Sequence, residues 1–239
     1  MGLTDHGKNN SAEDHARRVR DMFARISPRY DLLNHLLSGN IDKRWRRIVV
    51  EKLRPQLSPG SEILDVACGT GDLSIALFEN IGARVTGVDF CRPMLERAAR
   101  KPSKVAFVEG DALHLPFGDG VFDAVTIAFG LRNLSSVEQG LKELRRVLQP
   151  NGWAAILEFS KPVVPGFRSL AAVYCTRLLP RIGGIISGSR SAYEYLPDSV
   201  SRFPDQETLL AMMTAAGFAD VGFENLTGGI AALHTGRKT

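Results

Sequence analysis

Cysteine is scarce in this sequence: Cys68, Cys91 and Cys175 lie far apart and form no CxxC pair. An odd count at such spacing argues against a disulfide framework and a thiolate zinc centre, and fits a reducing cytosol. Long apolar runs are missing too. The most apolar stretch, residues 170–186, is broken by Arg177, Pro180 and Arg181, whereas a membrane span needs about 20 largely uncharged residues. Residues 1–10 are polar, lack the apolar core of a signal peptide and read as a disordered start. Gly2 is followed by His6 where a myristoylation signal needs Ser or Thr. Charge of one sign barely dominates, with 30 basic against 26 acidic residues and a net charge of +4. No zinc-finger, RRM or KH signature accompanies it, so no nucleic-acid partner is expected. Much of the excess sits in Lys43, Arg44, Arg46, Arg47, Lys52 and Arg54. That run reads either as a solvated helix face or as a partner-binding patch.

What is present is an ordinary globular composition, 44% hydrophobic and 23% charged, which suits one domain over residues 1–239. A helix is expected from Ser11, with Val19, Met22, Phe23 and Ile26 at helical spacing, broken by Ser27-Pro28. A short helix follows from Tyr30 and stops at Gly39. The next is expected to be capped near Asp42 and to place Trp45, Ile48, Val49 and Leu53 on one face. Residues 1–60 thus form a helical cover. Residues 61–160 then alternate, with strands expected over 62–66, 84–89, 105–109, 122–129 and 153–159 and helices between them. Alternation of this kind means a mostly parallel sheet with helices on both faces. Residues 161–239 hold an apolar, helical 167–186, a polar-aromatic stretch 193–197, a last helix 204–216 and a terminal hairpin. The count is seven strands.

The stretch Leu64-Asp65-Val66-Ala67-Cys68-Gly69-Thr70-Gly71-Asp72 organises this plan. A strand, a tight glycine turn and a helix start make a nucleotide-binding unit. A nicotinamide fingerprint would carry a third glycine at position 74, and this chain has Ser74, which counts against a dinucleotide. Ligands of such sheets bind at the carboxyl ends of the strands. Asp65, Asp89, Asp111 and the turn at Phe129-Gly130 all fall there. Asp89 lies close to the spacing expected of a carboxylate that grips ribose hydroxyls. Asp111 and the backbone of Ala112 suit an adenine edge. A helix cap or a solvated turn remains the plain alternative for each aspartate alone.

LDVACGTGD, VTGVDF and EGDALHLPF resemble the class I S-adenosylmethionine-dependent methyltransferases, which implies a Rossmann-like α/β fold. YDLLNHLLSGNIDKRWRR, FGLRN, RVLQPNGWAAILEFSKP, YEYLP, FPDQETLLAMM and NLTGGIAALHTG narrow the resemblance to the ubiquinone/menaquinone biosynthesis C-methyltransferases, the UbiE/MenG family. It runs from about Val19 to the C-terminus. It implies C-methylation of a polyprenyl quinol, with S-adenosylmethionine as donor, no metal, and demethylmenaquinol ahead of a benzoquinol as acceptor. Asp65, Gly69, Thr70, Gly71, Asp89, Asp111 and Ala112 become the expected cofactor contacts. Many relatives carry serine where this chain has Ala128, so that contact is absent here.

A ring carbon attacks a methyl group only when the ring is electron-rich, so the acceptor is the quinol. Arg132 and Asn133 directly follow Gly130 and are expected to point at the transferred methyl. Arginine stays protonated, so Arg132 would stabilise a phenolate or hold a water; pairing with a structural carboxylate is the alternative. Tyr30, Asn34, Tyr193 and Tyr195 are the expected quinol contacts, with His35 beside them and Glu158 as a proton acceptor. His114 and His234 read as structural, and nothing argues for a nucleophilic Cys68. Expected surroundings are the cytoplasm and the inner face of a membrane, with residues 167–186 and the basic run 43–54 as contacts. A lid or a homodimer face suits 167–186 equally well. Methylation of another lipophilic acceptor, and non-catalytic cofactor binding, remain the other readings.

Overall fold

Apolar residues alternate inward and outward along the central strands, and this two-sidedness builds the layers. The computed structural model describes residues 6–164 and 190–239. The expected apolar helix over 167–186 lies outside them. Strands β1 (Glu62–Val66), β2 (Arg84–Asp89), β3 (Ala106–Glu109), β4 (Phe122–Ala128) and β5 (Leu148–Phe159) are parallel. β6 (Phe218–Leu226) and β7 (Ala231–Lys238) complete a seven-stranded sheet of order β3-β2-β1-β4-β5-β7-β6. β7 runs antiparallel to both neighbours. The terminal hairpin therefore forms one edge of the sheet, as expected.

Helices α1 (His6–Ile26), α2 (Tyr30–Leu37) and α3 (Ile41–Leu53) precede the sheet. Helices α4 (Asp72–Ile81), α5 (Arg92–Ala98) and α6 (Val137–Val147) lie between strands, and α7 (Arg190–Arg202) and α8 (Gln206–Ala215) precede the hairpin. Neighbouring residues of a strand face opposite sides. Leu64 and Val66 meet Leu141, Leu144 and Val147 of α6 and Met213 of α8. Ile63 on the other side meets Trp45, Val49 and Leu53 of α3 and Leu73 and Leu77 of α4. The spacing of Trp45, Val49 and Leu53 is one helical turn, so α3 belongs to the fold as an outer layer.

Three local expectations are corrected. The first helix starts at His6 rather than Ser11; polar residues do not stop a helix whose later turns are packed, here at Val19 and Ile26. Asp42 is not the cap of α3. Asn40 takes that place with φ 62°, and the Asp42 carboxylate turns inward to Ser38, His35 and Arg46. β5 begins at Leu148, not Trp153, because the chain passes Asn151 (φ 65°) as a bulge against β4. The polar-aromatic stretch around Tyr195, left without an element above, belongs to α7, with Pro197 inside the helix.

Trp45 anchors the cover to the sheet. Its ring is buried against Phe129 (centroids 5.8 Å apart) and Phe159 (6.1 Å), and its Nε1 donates to Thr227 Oγ1 at 2.9 Å. Trp45→Ala is expected to lower the unfolding free energy by roughly 3–5 kcal/mol in urea titration. A loss below about 1 kcal/mol would show that α3 does not depend on this anchor.

Candidate active site

The sheet order reverses between β1 and β4, and the two strand ends are pressed together there. Ala67 (φ 51°) and Phe129 (φ 57°), just past β1 and β4, both take left-handed backbone. Such conformations cost roughly 1–3 kcal/mol each for residues other than glycine and concentrate at working sites. Gly130 has no choice of side chain: a Cβ on it would come within 2.5 Å of the Ala67 Cβ. At Gly71 (φ 79°) a Cβ would meet the Phe107 ring at 2.7 Å. Backbone and space thus both demand glycine at position 71.

A cavity of about 920 Å³ opens over these ends. Gly69, Asp89, Asp111, Ala112, Ala128 and Asn133 are among its lining residues, with Tyr30 and Phe23 from the cover. Asp89 is buried at the end of β2 and accepts from the backbone N–H of Gly69 and of Cys91, each at 2.8 Å. Burial pushes its carboxyl up to about 6 against the pull of those N–H groups. Each oxygen keeps a lone pair for a further donor, so a vicinal diol has two acceptors waiting. Asp111 is exposed, accepts from Leu113 N at 2.9 Å and lies 3.8 Å from His114. Ala112 and Met94 add apolar wall. Desolvation, and then the charges of Asp89 and Asp65, raise the thiol of the half-buried Cys68 beside the loop, which disfavours its thiolate.

Asp65 and Thr70 have other work. Asp65 does not line the cavity; it is buried beneath the loop and accepts from Ser74 Oγ (2.5 Å) and Thr126 Oγ1 (2.7 Å). Burial raises its carboxyl to about 6 despite these bonds. Ser74, the residue that departs from the nicotinamide fingerprint, is therefore a strut of the loop. Thr70 Oγ1 donates to Asp31 of α2 at 2.5 Å. Lys101 bridges Asp31 (2.8 Å) and Asp72 (2.6 Å). Burial alone would lower the Lys101 ammonium, but the two carboxylates hold it above its ordinary value. His35 and Arg46 extend this network through Asp42, at 2.8 and 2.5 Å. Burial presses Asp42 upward, yet Ser38 and Arg46 outweigh it and its carboxyl stays low. The cover is thus clasped to the glycine loop by charge.

Of the residues expected on the acceptor side, Tyr30 and Asn133 line the cavity. Tyr30 is half-buried, and this desolvation raises its phenol; it bonds to Asn34, so Asn34 supports Tyr30 and is not among the lining residues. Asn133 accepts from Tyr195 Oη at 3.1 Å and donates from Nδ2 to Phe129 O at 3.2 Å. Its carbonyl lies 3.2 Å from His15 Nε2. The Tyr193 side chain lies outside the described residues. Arg132 corrects the expectation: it does not face the cavity. Its guanidinium, 7% exposed, pairs with Glu158 (2% exposed) at 2.8 Å, reaches Phe129 O and lies 5.3 Å from the Phe159 ring centre. A guanidinium this far from solvent needs a counter-ion, and the buried carboxylate of Glu158 neutralises it. This is the alternative role foreseen for Arg132, and it removes Glu158 as a free base. His234, buried and 2.9 Å from Gln206 O, is structural as expected. His114 instead is exposed and lines the cavity.

Sequence reasoning expected a helix here but missed that one face of α1 lines the cavity. Glu13, Ala16, Arg17, Arg20 and Phe23 line the cavity. Their spacing of three and four is one helix face, and the signal was present, but a polar face reads as solvated. Among the described residues no cluster of His, Cys, Asp and Glu fit to hold a metal ion occurs.

Comparison with known proteins narrows the chemistry. Residues 10–238 match the model of the ubiE/COQ5 methyltransferase family. A protein of Thermus thermophilus named demethylmenaquinone methyltransferase is 53% identical, covering 91% of this chain and all of the relative. A Citrifermentans bemidjiense protein named ubiquinone/menaquinone biosynthesis C-methyltransferase UbiE is 45% identical over 92% and 96%. Among solved structures, the [4+2]-cyclase SpnF superposes with a TM-score of 0.69 at 20% identity, covering 93% of this chain and 96% of that one. That likeness is one of fold alone, since a fold hosts many chemistries.

Two outcomes are expected. Arg132→Ala leaves Glu158 buried without its counter-ion and should cost roughly 3–5 kcal/mol in denaturant titration; an unchanged midpoint would refute the buried pair. Asp65 titrates near 6 when folded against 3.8 as an ordinary carboxyl. As pH rises from about 4 to about 6 the unfolded chain gives up this proton before the native one does, so this contribution to stability is lost on the way up. The stability of wild type relative to Asp65→Asn should therefore fall across that window in paired urea titrations. A difference independent of pH would refute the raised carboxyl.

Proposed function

The chain belongs to the ubiE/COQ5 methyltransferase family, and on that premise we propose that it methylates a ring carbon of a polyprenyl quinol. Its acceptor is demethylmenaquinol, which becomes menaquinol. The relative at 53% identity carries the corresponding name. A benzoquinol of ubiquinone biosynthesis is the second acceptor, favoured by the relative named for both pathways. The methyl donor is S-adenosylmethionine. The observation that carries the reading is Asp89, a buried carboxylate held by two backbone N–H groups at the mouth of the glycine turn.

The residues fit that donor. A diol can donate to Asp89, an adenine edge has Asp111 and the wall of Ala112 and Met94, and the cavity is of ligand size. Gly69, whose ideal Cβ would meet only Tyr30 at 3.9 Å, leaves the loop open on that side. When bound, S-adenosylmethionine supplies a methyl group on a positively charged sulfur. The chain's own residues orient the acceptor and govern its protons. Asn133 spends one Nδ2 hydrogen on Phe129 O and its Oδ1 on Tyr195, which leaves one Nδ2 hydrogen for an acceptor oxygen. Tyr30 carries a phenol O–H that can donate, since a tyrosine stays protonated at neutral pH. The Arg132–Glu158 pair sits behind the turn and holds its backbone, since Arg132 N also donates to Glu158 at 3.2 Å. These donors favour charge developing on a quinol oxygen over the neutral ring. The proton lost from the ring carbon leaves to solvent.

Methyl transfer from S-adenosylmethionine to a short-chain demethylmenaquinol, followed by product mass under reducing conditions, tests the reading. Turnover is expected with the quinol and not with the oxidised quinone. Absence of turnover with both a naphthoquinol and a benzoquinol, while the donor binds, would sink it. Asn133→Ala is expected to lower kcat about 10- to 100-fold with little change in donor affinity; equal loss of both would place Asn133 in the donor site instead.

A further inference from the structure

We infer that the outer face of α2 and the start of α3 form a docking surface for an anionic lipid bilayer. Leu32 and Leu36 are one helical turn apart on α2 and stand 60% and 54% exposed. Ile41, at the first position of α3, is 37% exposed. These are three of the six large hydrophobic side chains exposed among the described residues. Two helix ends joined by the turn at Gly39 and Asn40 therefore carry half of that exposed apolar surface.

Charge says what covers it. Lys43, Arg44 and Arg47 are exposed on the first two turns of α3 and have no carboxylate within ion-pair distance among the described residues. Of the acidic groups of these helices, Asp31 and Asp42 are committed inward, and Glu51 is exposed further along α3. Asp31 is held by Thr70 and Lys101, and Asp42 by Ser38, His35 and Arg46. What α2 and the first turns of α3 expose is apolar residues and unpaired cations, of which Lys43 and Arg47 also border a groove shared with Glu51 and Glu79. A lone hydrophobic patch would fit any partner, whereas aliphatic side chains flanked by free Lys and Arg match the acyl and headgroup layers of an anionic membrane surface. No described helix is long and apolar enough to cross a membrane, so contact of this kind is interfacial.

The surface is continuous with the site. Tyr30, the first residue of α2, lines the cavity, and Asp31 bonds to the glycine loop. The same helix thus presents its opposite side to lipid. The choice of a bilayer as occupant rests on the reading of a polyprenyl acceptor, which resides in lipid.

Sedimentation with phosphatidylglycerol vesicles and with phosphatidylcholine vesicles tests the surface. Wild type should bind the anionic vesicles, bind the zwitterionic ones far less, and lose binding as salt is raised. Leu32→Glu/Leu36→Glu, and separately Lys43→Glu/Arg44→Glu/Arg47→Glu, should weaken vesicle binding by about tenfold or more. Both variants should retain the wild-type circular dichroism spectrum. Wild-type binding by the folded variants, or no binding of wild type to phosphatidylglycerol, would overturn the proposal. So would a wild-type dimer that becomes a monomer in the leucine variant, because the face would then belong to a second copy. Methylation of a short-chain, water-soluble quinol should be unchanged in both variants. Vesicle binding without any such turnover would support the surface and overturn the proposed acceptor.

Discussion

One buried carboxylate sets the geometry of everything above the sheet. Asp65, the penultimate residue of β1, is buried, and its two oxygens accept from the hydroxyls of Ser74 and Thr126. One partner sits in the first turns of α4 and the other on β4. The glycine loop between β1 and α4 is therefore pinned at both ends, and β4 is pinned beside it. A carboxylate in such a place is costly, which its upward-shifted titration records, and it is tolerated only because both oxygens are satisfied. The consequence is a rigid switch point. Ala67 and Phe129 keep unfavourable backbone there, and Gly130 fits under Ala67 with no room for a methyl group.

The second layer of organisation is electrostatic and joins parts that the sheet does not connect. Asp31, Thr70, Lys101 and Asp72 tie α2 to the loop and to the residues after α5. Arg46 and His35 add α3 through Asp42, while Trp45 packs α3 onto Phe129 and Phe159. Exposed ion pairs contribute little to stability, but these are partly buried and act together. Their effect is positional: Tyr30 is held over the loop and Phe129 is held under the cover. On the opposite side, His15 of α1 and Tyr195 of α7 meet at Asn133. Three separate segments of chain thus converge on one short turn.

The fold could be read from the sequence because period-two and period-3.6 patterns are local. All seven strands came from such patterns, and errors fell where local signals compete. Asp42 looked like a cap because acidic residues favour helix starts, yet a neighbouring arginine and histidine drew it inward. The turn at Asn151 looked like a strand boundary because bulges and turns use the same residues. The site was less readable, for a physical reason: direction is a tertiary property. Asn133 and Arg132 are adjacent, and only the placement of Glu158, one helix and most of one strand later, decides that one faces the cavity and the other does not. Likewise Asp65 and Asp89 look alike at strand ends, and Ser74 and Thr126 assign the first to support. The face of α1 that lines the cavity was hidden because its residues are polar, as those of a solvated face would be.

The position of α2 shows why cover and site are one device. Its first residues, Tyr30 and Asp31, are bound to the cavity and the loop, and every carboxylate on it and at the start of α3 is turned inward to hold that contact. Neutralising the inner side in this way leaves Lys43, Arg44 and Arg47 exposed without ion-pair partners among the described residues, on helices that also expose Leu32 and Leu36. The asymmetry of the outer face therefore follows from the clasp itself. A helix that must satisfy a loop hydroxyl and a buried cation on one side has only its remaining positions with which to address the medium that holds a lipophilic acceptor.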